Sequence, residues 1–219
     1  MRIYILPIIN TVWDENDQQL LSFVSEERQR KVKHYRFDID KKLSLYSALL
    51  VRMELSKLVG IPAADLKFFS KPLAKPLCLS ALQCHFSFSH TRNMILSCIS
   101  ERNPVGADIE MLSTAPLEIV TNLFHPDEID YVMKPSSSLR NLRFYKIWTQ
   151  KEAYVKYLGT GLSESLSQIN MLDPTLSKSL VTWKENDCIC SVFQPDFSDF
   201  KKAAVSEQEI FRFYLSYNN

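Results

Sequence analysis

The alternation of apolar and polar positions predicts a first strand followed by helices. The apolar run at residues 3–9 is typical of a buried strand. After it, apolar residues recur every three or four positions, which indicates helices. The predicted helices extend to residue 24 behind a cap at Thr11 or Asp14, to about residue 37 behind a cap at Ser25, and over residues 39–59 before Gly60.

Farther along the chain the period becomes that of strands, and helices return only in the second half. Short β-rich segments are expected at residues 68–69, 84–89, 94–100 and 104–111, and again at 180–183, 188–193 and 210–217. Helices are predicted at residues 116–124, 126–133 and 139–158, the last one ending at Gly159. Because helices and antiparallel strands occur in blocks, the pattern favours an α+β protein.

Composition then narrows the class of protein. With 46% apolar and 23% charged residues the chain resembles an ordinary soluble domain, and its net charge of +1 argues against a nucleic-acid partner. The apolar start is too short for a spanning helix and is not followed by a cleavage site, so we expect a cytoplasmic protein without a membrane partner. The five cysteines are expected to be reduced packing residues, because their number is odd and no CxxC pair occurs.

The placement of glycine and charge points to the way an anion would be bound. Only four glycines occur, and no glycine-rich phosphate loop can be written with them, so side chains would have to bind any phosphate. Residues 25–57 hold nine basic and five acidic side chains, whereas residues 107–130 hold six acids and no lysine or arginine. The basic helix with Arg28 and Lys31 suits an anionic ligand, and the acidic segment suits a metal ion.

Two carboxylates are predicted to lie side by side on the acidic strand. Strand alternation sends Gly106, Asp108 and Glu110 to one face and the intervening apolar residues to the other. Unneutralised neighbouring carboxylates repel each other, and a hard cation such as Mg²⁺ relieves that repulsion. The alternative is a solvated sheet face without a metal ion.

The helix at residues 139–158 breaks its own apolar pattern. Lys151 falls in the middle of the apolar face, while Glu152 and Lys156 lie one turn apart along its edge. Such violations often mark a functional site, although a snorkelling lysine beside a surface ion pair would explain them equally well. Ser89 and His90, at the end of a predicted strand, offer a hydroxyl and an imidazole to a phosphate.

These residues together resemble the 4'-phosphopantetheinyl transferases of the surfactin-synthetase-activating type. The resemblance rests on four motifs in order, which are Lys75-Pro76, Phe86-Ser87-Phe88-Ser89-His90, Asp108-Ile109-Glu110 after Gly106, and Trp148-Thr149-Gln150-Lys151-Glu152-Ala153 with Lys156 following. It implies two similar α/β halves, residues 1–103 and 104–219, related by a pseudo-twofold axis with the active site in the cleft between them. It also implies a monomer.

The implied reaction transfers 4'-phosphopantetheine from coenzyme A to a serine of an acyl or peptidyl carrier protein domain and releases adenosine 3',5'-bisphosphate. The carrier would belong to a nonribosomal peptide, polyketide or fatty-acid synthase. Residues 111–124 are the candidate docking surface for it. A metal-dependent phosphohydrolase and a non-catalytic module that binds coenzyme A or the carrier are the alternatives.

The resemblance also assigns roles to single residues. Asp108, Glu110 and Glu152 would hold Mg²⁺ or Mn²⁺, and either Glu152 directly or Glu110 through a water would accept the serine proton. Lys156, together with Lys151, would offset phosphate charge. The remaining coenzyme A contacts would come from Arg28, Lys31, Lys75, Pro76, Ser89 and His90. Leu43 stands where some members carry a basic residue, which leaves Lys42 as the candidate substitute at the 3'-phosphate.

Overall fold

The computed structural model describes residues 1–69, 75–159, 161, 166–195 and 199–216. Within these residues the α-helices are α1 (Glu15–Leu20), α2 (Glu26–His34), α3 (Asp38–Val59), α4 (Val120–Leu123), α5 (Pro126–Met133), α6 (Ser137–Leu158), α7 (Pro174–Ser177) and α8 (Glu207–Leu215). The strands are β1 (Arg2–Pro7), β2 (Phe68–Phe69), β3 (Leu77–Cys78), β4 (His85–Thr91), β5 (Met94–Ser100), β6 (Gly106–Met111), β7 (Leu180–Glu185), β8 (Cys188–Phe193) and β9 (Lys201–Ala204). The mixture confirms the predicted α+β class.

The same topology occurs twice along the chain. One sheet has the order β4-β5-β1-β9, and another has the order β6-β8-β7. In each half a first strand, β1 or β6, is followed by a helix of 22 residues, α3 or α6, and then by a hairpin. The second strand of each hairpin pairs antiparallel with the first strand of its half. This repeat supports the expectation of two similar halves.

Local sequence signals start the first helices where they were predicted. However, α1 ends at Leu20 and not at residue 24, and α2 ends at His34 and not near residue 37. Asp14 caps α1 in a capping box with Asp17, and Ser25 caps α2 by accepting from the amide of Arg28. Both 22-residue helices end at a glycine in the left-handed region, Gly60 with φ of 69° and Gly159 with φ of 72°.

The two sheets share a core between the halves. Alternate residues of β1 face opposite ways: Tyr4 and Leu6 belong to the core under α3, and Ile3 and Ile5 pack with the second sheet. The shared core is completed by Met94, Leu96, Cys98, Val105, Ala107, Ile109, Cys188, Cys190 and Val192. The halves are therefore held together by a buried apolar layer.

Strand β6 is held tightly between β4 and α6. The amide of Ala107 donates to the hydroxyl of Ser87 on β4 over 3.1 Å. On the other face, a Cβ added to Gly106 would lie 1.8 Å from the carbonyl oxygen of Ala153 and 2.5 Å from the amide nitrogen of Tyr157 on α6. Glycine is required here because the helix backbone itself packs against the strand. The predicted alternation of β6 is confirmed.

The C-terminal segment corrects the sequence prediction. Residues 210–217 were expected to form a strand, but α8 covers them as far as Leu215, and Tyr217 lies outside the described residues. A capping box between Ser206 and Glu209 starts the helix, and Ile210 and Tyr214 form its buried stripe. Strand β9, which was not predicted, pairs parallel with β1.

Strand β9 and helix α8 pack on the first half of the chain, although they follow the second half in sequence. The hydroxyl of Tyr214 donates to the carbonyl of Leu49 on α3. The division of the chain near residue 103 thus stays a prediction. The last described segment belongs to the second half in sequence but packs on the first half.

The remaining expectations concern the cysteines and the membrane. All five cysteines are buried and free, as expected of packing residues. Among the described helices, none combines the length and apolarity needed to cross a bilayer.

The contact at Gly106 can be tested by substitution. We expect Gly106→Ala to lower the free energy of unfolding by about 3 kcal/mol or more, since the methyl group meets backbone atoms that cannot move alone. Gly60→Ala is the matched control: it has positive φ but open space, and it should cost only about 1 kcal/mol. Urea unfolding of both variants measures the difference, and equal losses would contradict the close contact.

Candidate active site

A pocket of about 290 Å³ lies between the two halves of the molecule. Its walls come from the segment before β3, from β4, and from the C-terminal half of α6. The lining residues are Lys75, Pro76, Phe86, Ser87, Phe88, Glu152, Val155, Lys156, Gly159 and Gly161. The structure thus brings the motifs at residues 75–76, 86–90 and 148–156 to one cleft.

Three polar groups from three elements meet beside this pocket. The ammonium of Lys156 on α6 lies 2.6 Å from Oδ1 of Asp108 on β6 and 2.9 Å from the hydroxyl of Ser89 on β4. That hydroxyl lies 2.8 Å from the same oxygen of Asp108. Asp108 is almost fully buried, and its Oδ2 finds no hydrogen-bond partner among the described residues. A buried carboxylate oxygen without a partner is costly unless a ligand completes its contacts.

Glu110 and Glu152 are neighbours of this buried carboxylate. Burial, followed by the charge of Asp108, raises the pKa of Glu110 to about 7, although a hydrogen bond from Trp148 opposes the rise. Burial and then the charge of Asp108 also raise the pKa of Glu152. The charge of Asp108 contributes to both shifts after burial, so the carboxyls of Glu110 and Glu152 lie close enough to Asp108 to be repelled by it.

The chemistry of this donor set fits a hard divalent cation. Mg²⁺ prefers oxygen ligands, and a cation would relieve the repulsion and satisfy Oδ2 of Asp108. As the side chains stand, however, no three acidic, histidine or cysteine side chains of the described residues converge on one point. The three expected ligands are therefore neighbours, not a closed coordination shell.

Basic side chains of α2 lie across the cleft. Burial lowers the pKa of His90, and the charges of Lys156, Lys31 and Arg28 lower it further. Burial and then Arg28 lower the pKa of Lys31. The guanidinium of Arg28 donates to the hydroxyl of Ser44 over 3.3 Å and lies 6.0 Å from the ring centre of Phe88. Three cations near one imidazole suit an anion such as phosphate, although Asp40 opposes their effect on His90.

Lys75 and Pro76 lie where the coenzyme contacts were expected, at the wall of the pocket. The ammonium of Lys75 donates to the carbonyl oxygen of Val105, and burial lowers its pKa. That contact places a second lysine next to β6, and its Cβ lies close to Gly159 at the C-terminal end of α6.

Lys151 does not lie at the phosphate site, where the sequence led us to expect it. Its side chain is fully buried and points away from the pocket. Its ammonium lies 2.7 Å from Oε2 of Glu128 on α5, and it donates to the carbonyls of Leu166 and Ile169. Every donor of the ammonium is used within the core, so Lys151 does not contact phosphate.

The expected substitute at the 3'-phosphate is also wrong. Lys42 is buried, and its ammonium lies 3.1 Å from Asp17 and 3.2 Å from Glu207. Leu43 is a core residue of α3. Neither side chain contacts Arg28 of α2. The neighbouring Ser44 does, because its hydroxyl accepts a hydrogen bond from the guanidinium of Arg28.

Ser44, Ser87 and Glu128 are polar residues to which sequence reasoning gave no role. Ser44 stands in an apolar context without a motif, so no local signal identified it. Ser87 belongs to the motif at residues 86–90, but its contact with Ala107 could not be predicted from the motif. Glu128 had a signal in the capping box that it forms with His125. The candidate docking stretch 111–124 is only partly available, because Ala115, Val120 and Phe124 are buried in the core beneath it.

Comparison with known proteins gives two family matches that together span most of the chain. Residues 104–207 match the 4'-phosphopantetheinyl transferase superfamily, and residues 12–100 match the family described as 4'-phosphopantetheinyl transferase, N-terminal. The two matches meet close to residue 103.

Individual curated relatives are similar over most of their length. The 4'-phosphopantetheinyl transferase ffp of Bacillus subtilis is 28% identical over 171 residues, which cover 78% of this chain and 76% of the relative. The 4'-phosphopantetheinyl transferase Sfp of Bacillus subtilis (strain 168) is 26% identical with the same coverage. The 4'-phosphopantetheinyl transferase gsp of Aneurinibacillus migulanus is 26% identical over 88% of this chain and 82% of its own length.

The carboxylate cluster predicts a pH dependence of stability. Glu110 has a pKa of about 7 in the folded protein against an ordinary value of 4.5. The stability that its protonated carboxyl contributes is therefore fully present below pH 4.5 and is lost as the pH rises through 7. Urea unfolding in EDTA should therefore show Glu110→Gln gaining stability relative to the unmodified protein between about pH 5 and pH 8. Glu118→Gln, at an exposed position, is the control. A difference that does not change with pH would contradict the burial of Glu110.

The buried ion pair predicts a large loss of stability. Lys151→Met leaves Glu128 buried and unpaired, and we expect a cost of about 3–5 kcal/mol in the free energy of unfolding. Lys134→Met removes a surface pair with the same 2.7 Å separation, from Asp130, and should cost less than about 1 kcal/mol. If the two variants unfold at the same urea concentration, the structural role of Lys151 is wrong.

Proposed function

The chain belongs to the 4'-phosphopantetheinyl transferase superfamily and is a transferase, and we propose that its donor is coenzyme A and its acceptor a serine of an acyl or peptidyl carrier domain. The observation that carries this proposal is the contact of Asp108, Ser89 and Lys156 at the edge of the pocket. It combines a buried carboxylate with a cation where the two halves meet, as a reaction at a pyrophosphate requires.

Lys156 is suited to bind the phosphates of the donor. An ammonium has three donors, and Lys156 uses two of them for Ser89 and Asp108. The third finds no partner among the described residues, and Lys156 is 30% exposed where it lines the pocket. Because Asp108 and Ser89 hold the ammonium in place, little reorganisation is needed when negative charge grows on the leaving group.

Two further groups of cations would hold the rest of coenzyme A. Arg28 and Lys31, with His90 beside them, form a basic cluster that suits the 3'-phosphate or the pyrophosphate. Lys75 lines the pocket together with Lys156. Several cations around one pocket support a ligand that carries more than one phosphate.

Asp108, Glu110 and Glu152 would hold Mg²⁺ or Mn²⁺ beside the pyrophosphate. When bound, such an ion neutralises the phosphate oxygens and lowers the pKa of nearby acids. Oδ2 of Asp108, which has no partner among the described residues, supports this assignment.

Glu152 is the better placed of the two candidate bases. Glu152 lines the pocket, and Glu110 does not. Position is the first requirement for a general base, so Glu152 would accept the serine proton directly, and Glu110 would act only through a water. Burial raises the pKa of both carboxyls above the ordinary value, which makes each a stronger proton acceptor.

The carrier domain would approach the cleft beside the end of β6. Of the stretch 111–124, the partly buried apolar residues Met111, Leu112, Leu117, Ile119 and Leu123 are the ones left for a docking surface. We propose this surface for a monomeric enzyme.

The activity is tested with purified protein, MgCl₂, coenzyme A and an apo carrier domain, following the mass of the carrier. We expect the carrier to gain one phosphopantetheine. Asp108→Ala and Glu152→Ala should each lower the rate by at least about 10²-fold, because each removes a group next to the reacting phosphate. Comparison of kcat/KM for acyl and peptidyl carriers identifies the preferred class.

Glu15→Ala serves as the control, since Glu15 is an exposed acid on α1 that lies outside both the pocket and the stretch 111–124. Near-normal turnover in Asp108→Ala or Glu152→Ala would overturn the site assignment. Hydrolysis of coenzyme A without any gain in carrier mass would favour the phosphohydrolase. Binding of coenzyme A without either reaction would favour the non-catalytic module.

A further inference from the structure

The hairpin between β4 and β5 has an unusual residue at its tip. Thr91 pairs with Met94, which leaves Arg92 and Asn93 as a two-residue loop. Arg92 has φ of 47°, in the left-handed region. That region is sterically unfavourable for a residue with a long side chain, and glycine, asparagine or aspartate is the usual choice there.

The second half of the molecule provides an internal comparison. Its equivalent hairpin, between β7 and β8, also has a two-residue loop after a closing pair, formed by Asn186 and Asp187. There the first loop residue is Asn186, with φ of 52°. The same backbone conformation thus carries the expected asparagine in one half and an arginine in the other.

The guanidinium of Arg92 does not explain this choice through any contact inside the protein. Arg92 is exposed, and its side chain makes no hydrogen bond or ion pair with the residues that the structure describes. An unfavourable backbone conformation that no internal contact offsets points to a function outside the folded chain.

The tip lies next to the end of the acidic strand. Ser89 on β4 contacts Asp108 on β6, so the residues that follow each of them run side by side towards Arg92 and Met111. Met111 pairs with Cys188, and burial raises the pKa of the Cys188 thiol while the charge of Arg92 opposes the rise. Arg92 is therefore close to the point where residues 111–124 begin.

The surroundings of Arg92 are those of an interface rim. Ile8 pairs with Asn93 through its backbone amide, and the next residue, Ile9, is 79% exposed. An unpaired arginine between an exposed isoleucine and the partly buried Met111 has the mixture of apolar and cationic surface that is common in protein interfaces.

We propose that Arg92 is a docking residue that binds a carboxylate on the carrier domain and orients its serine towards the cleft. This inference rests on the proposed transfer to a carrier. It assigns Arg92 to the acceptor and not to coenzyme A, whose phosphates meet the cations of α2 and the lysines of the pocket.

The test uses Arg92→Asn, which gives the first hairpin the residue of the second. With an acidic apo acyl carrier protein as the probe, KM for the carrier should rise about three- to fivefold, as expected for loss of one exposed ion pair. KM for coenzyme A should stay within about twofold. KM of the unmodified enzyme for the carrier should also rise more steeply with salt than that of the variant.

The same substitution should stabilise the fold. Asparagine tolerates positive φ better than arginine, so Tm should rise by about 2–4 °C in Arg92→Asn. A gain in stability together with weaker carrier binding cannot result from damage to the fold. Arg92→Lys, which keeps the charge, should retain most of the affinity.

Arg102→Asn is the matched control, because Arg102 is an exposed arginine at the opposite end of β5. It should leave both KM values unchanged. An unchanged KM for the carrier in Arg92→Asn, or an equal rise in Arg102→Asn, would overturn the inference. If the unmodified enzyme transfers nothing to any carrier, the proposed function itself fails. That result differs from an active enzyme in which Arg92→Asn leaves KM for the carrier unchanged.

Discussion

The close contact between α6 and β6 is the constraint on which the site depends. Because Gly106 has no side chain, the backbone of the helix at Ala153 and Tyr157 rests directly on the strand. This contact sets both the distance and the register between the two elements. It places Asp108, two residues after the glycine, against Lys156, three residues after Ala153. If a side chain at residue 106 pushed the strand away from the helix, these two charges would separate. The electrostatics of the site therefore depend on the absence of a Cβ at Gly106.

The same helix uses two lysines, five residues apart, for different purposes. Lys151 is enclosed and fully paired, and its partner Glu128 accepts from the amides of His125 and Met171 as well. Lys156 is partly exposed and contacts only Asp108 and Ser89 among the described residues, which leaves room for the proposed ligand. Burial decides between the roles: a cation deep in the core must be satisfied by the protein, whereas one at the wall of a cleft can be satisfied by a substrate.

Local signals in the sequence predicted much of the fold and most residues of the candidate site. Caps at Asp14 and Ser25 and the glycines that end α3 and α6 needed no tertiary information, and neither did the alternation along β6. The errors came from long-range packing. Residues 210–217 are apolar enough for a strand, yet the capping box at Ser206 and the core under α3 favour a helix. Lys151 looked like a site residue because its partner, Glu128, is on another helix and 23 positions earlier.

Both halves stabilise their long helix with the same kind of buried ion pair. This explains why neighbouring carboxylates can gather beside the pocket without disrupting the fold. In each half, the third residue of a short helix is an acid that caps its own first turn, Asp17 in α1 and Glu128 in α5. Each acid also binds a buried lysine of the long helix, Lys42 or Lys151. Breaking such a buried pair costs several kcal/mol, so these pairs anchor α3 and α6 away from the cleft. The repulsion among Asp108, Glu110 and Glu152 then acts on a frame that is already fixed. A site that gathers like charges for a ligand can persist because the elements that carry it are held elsewhere.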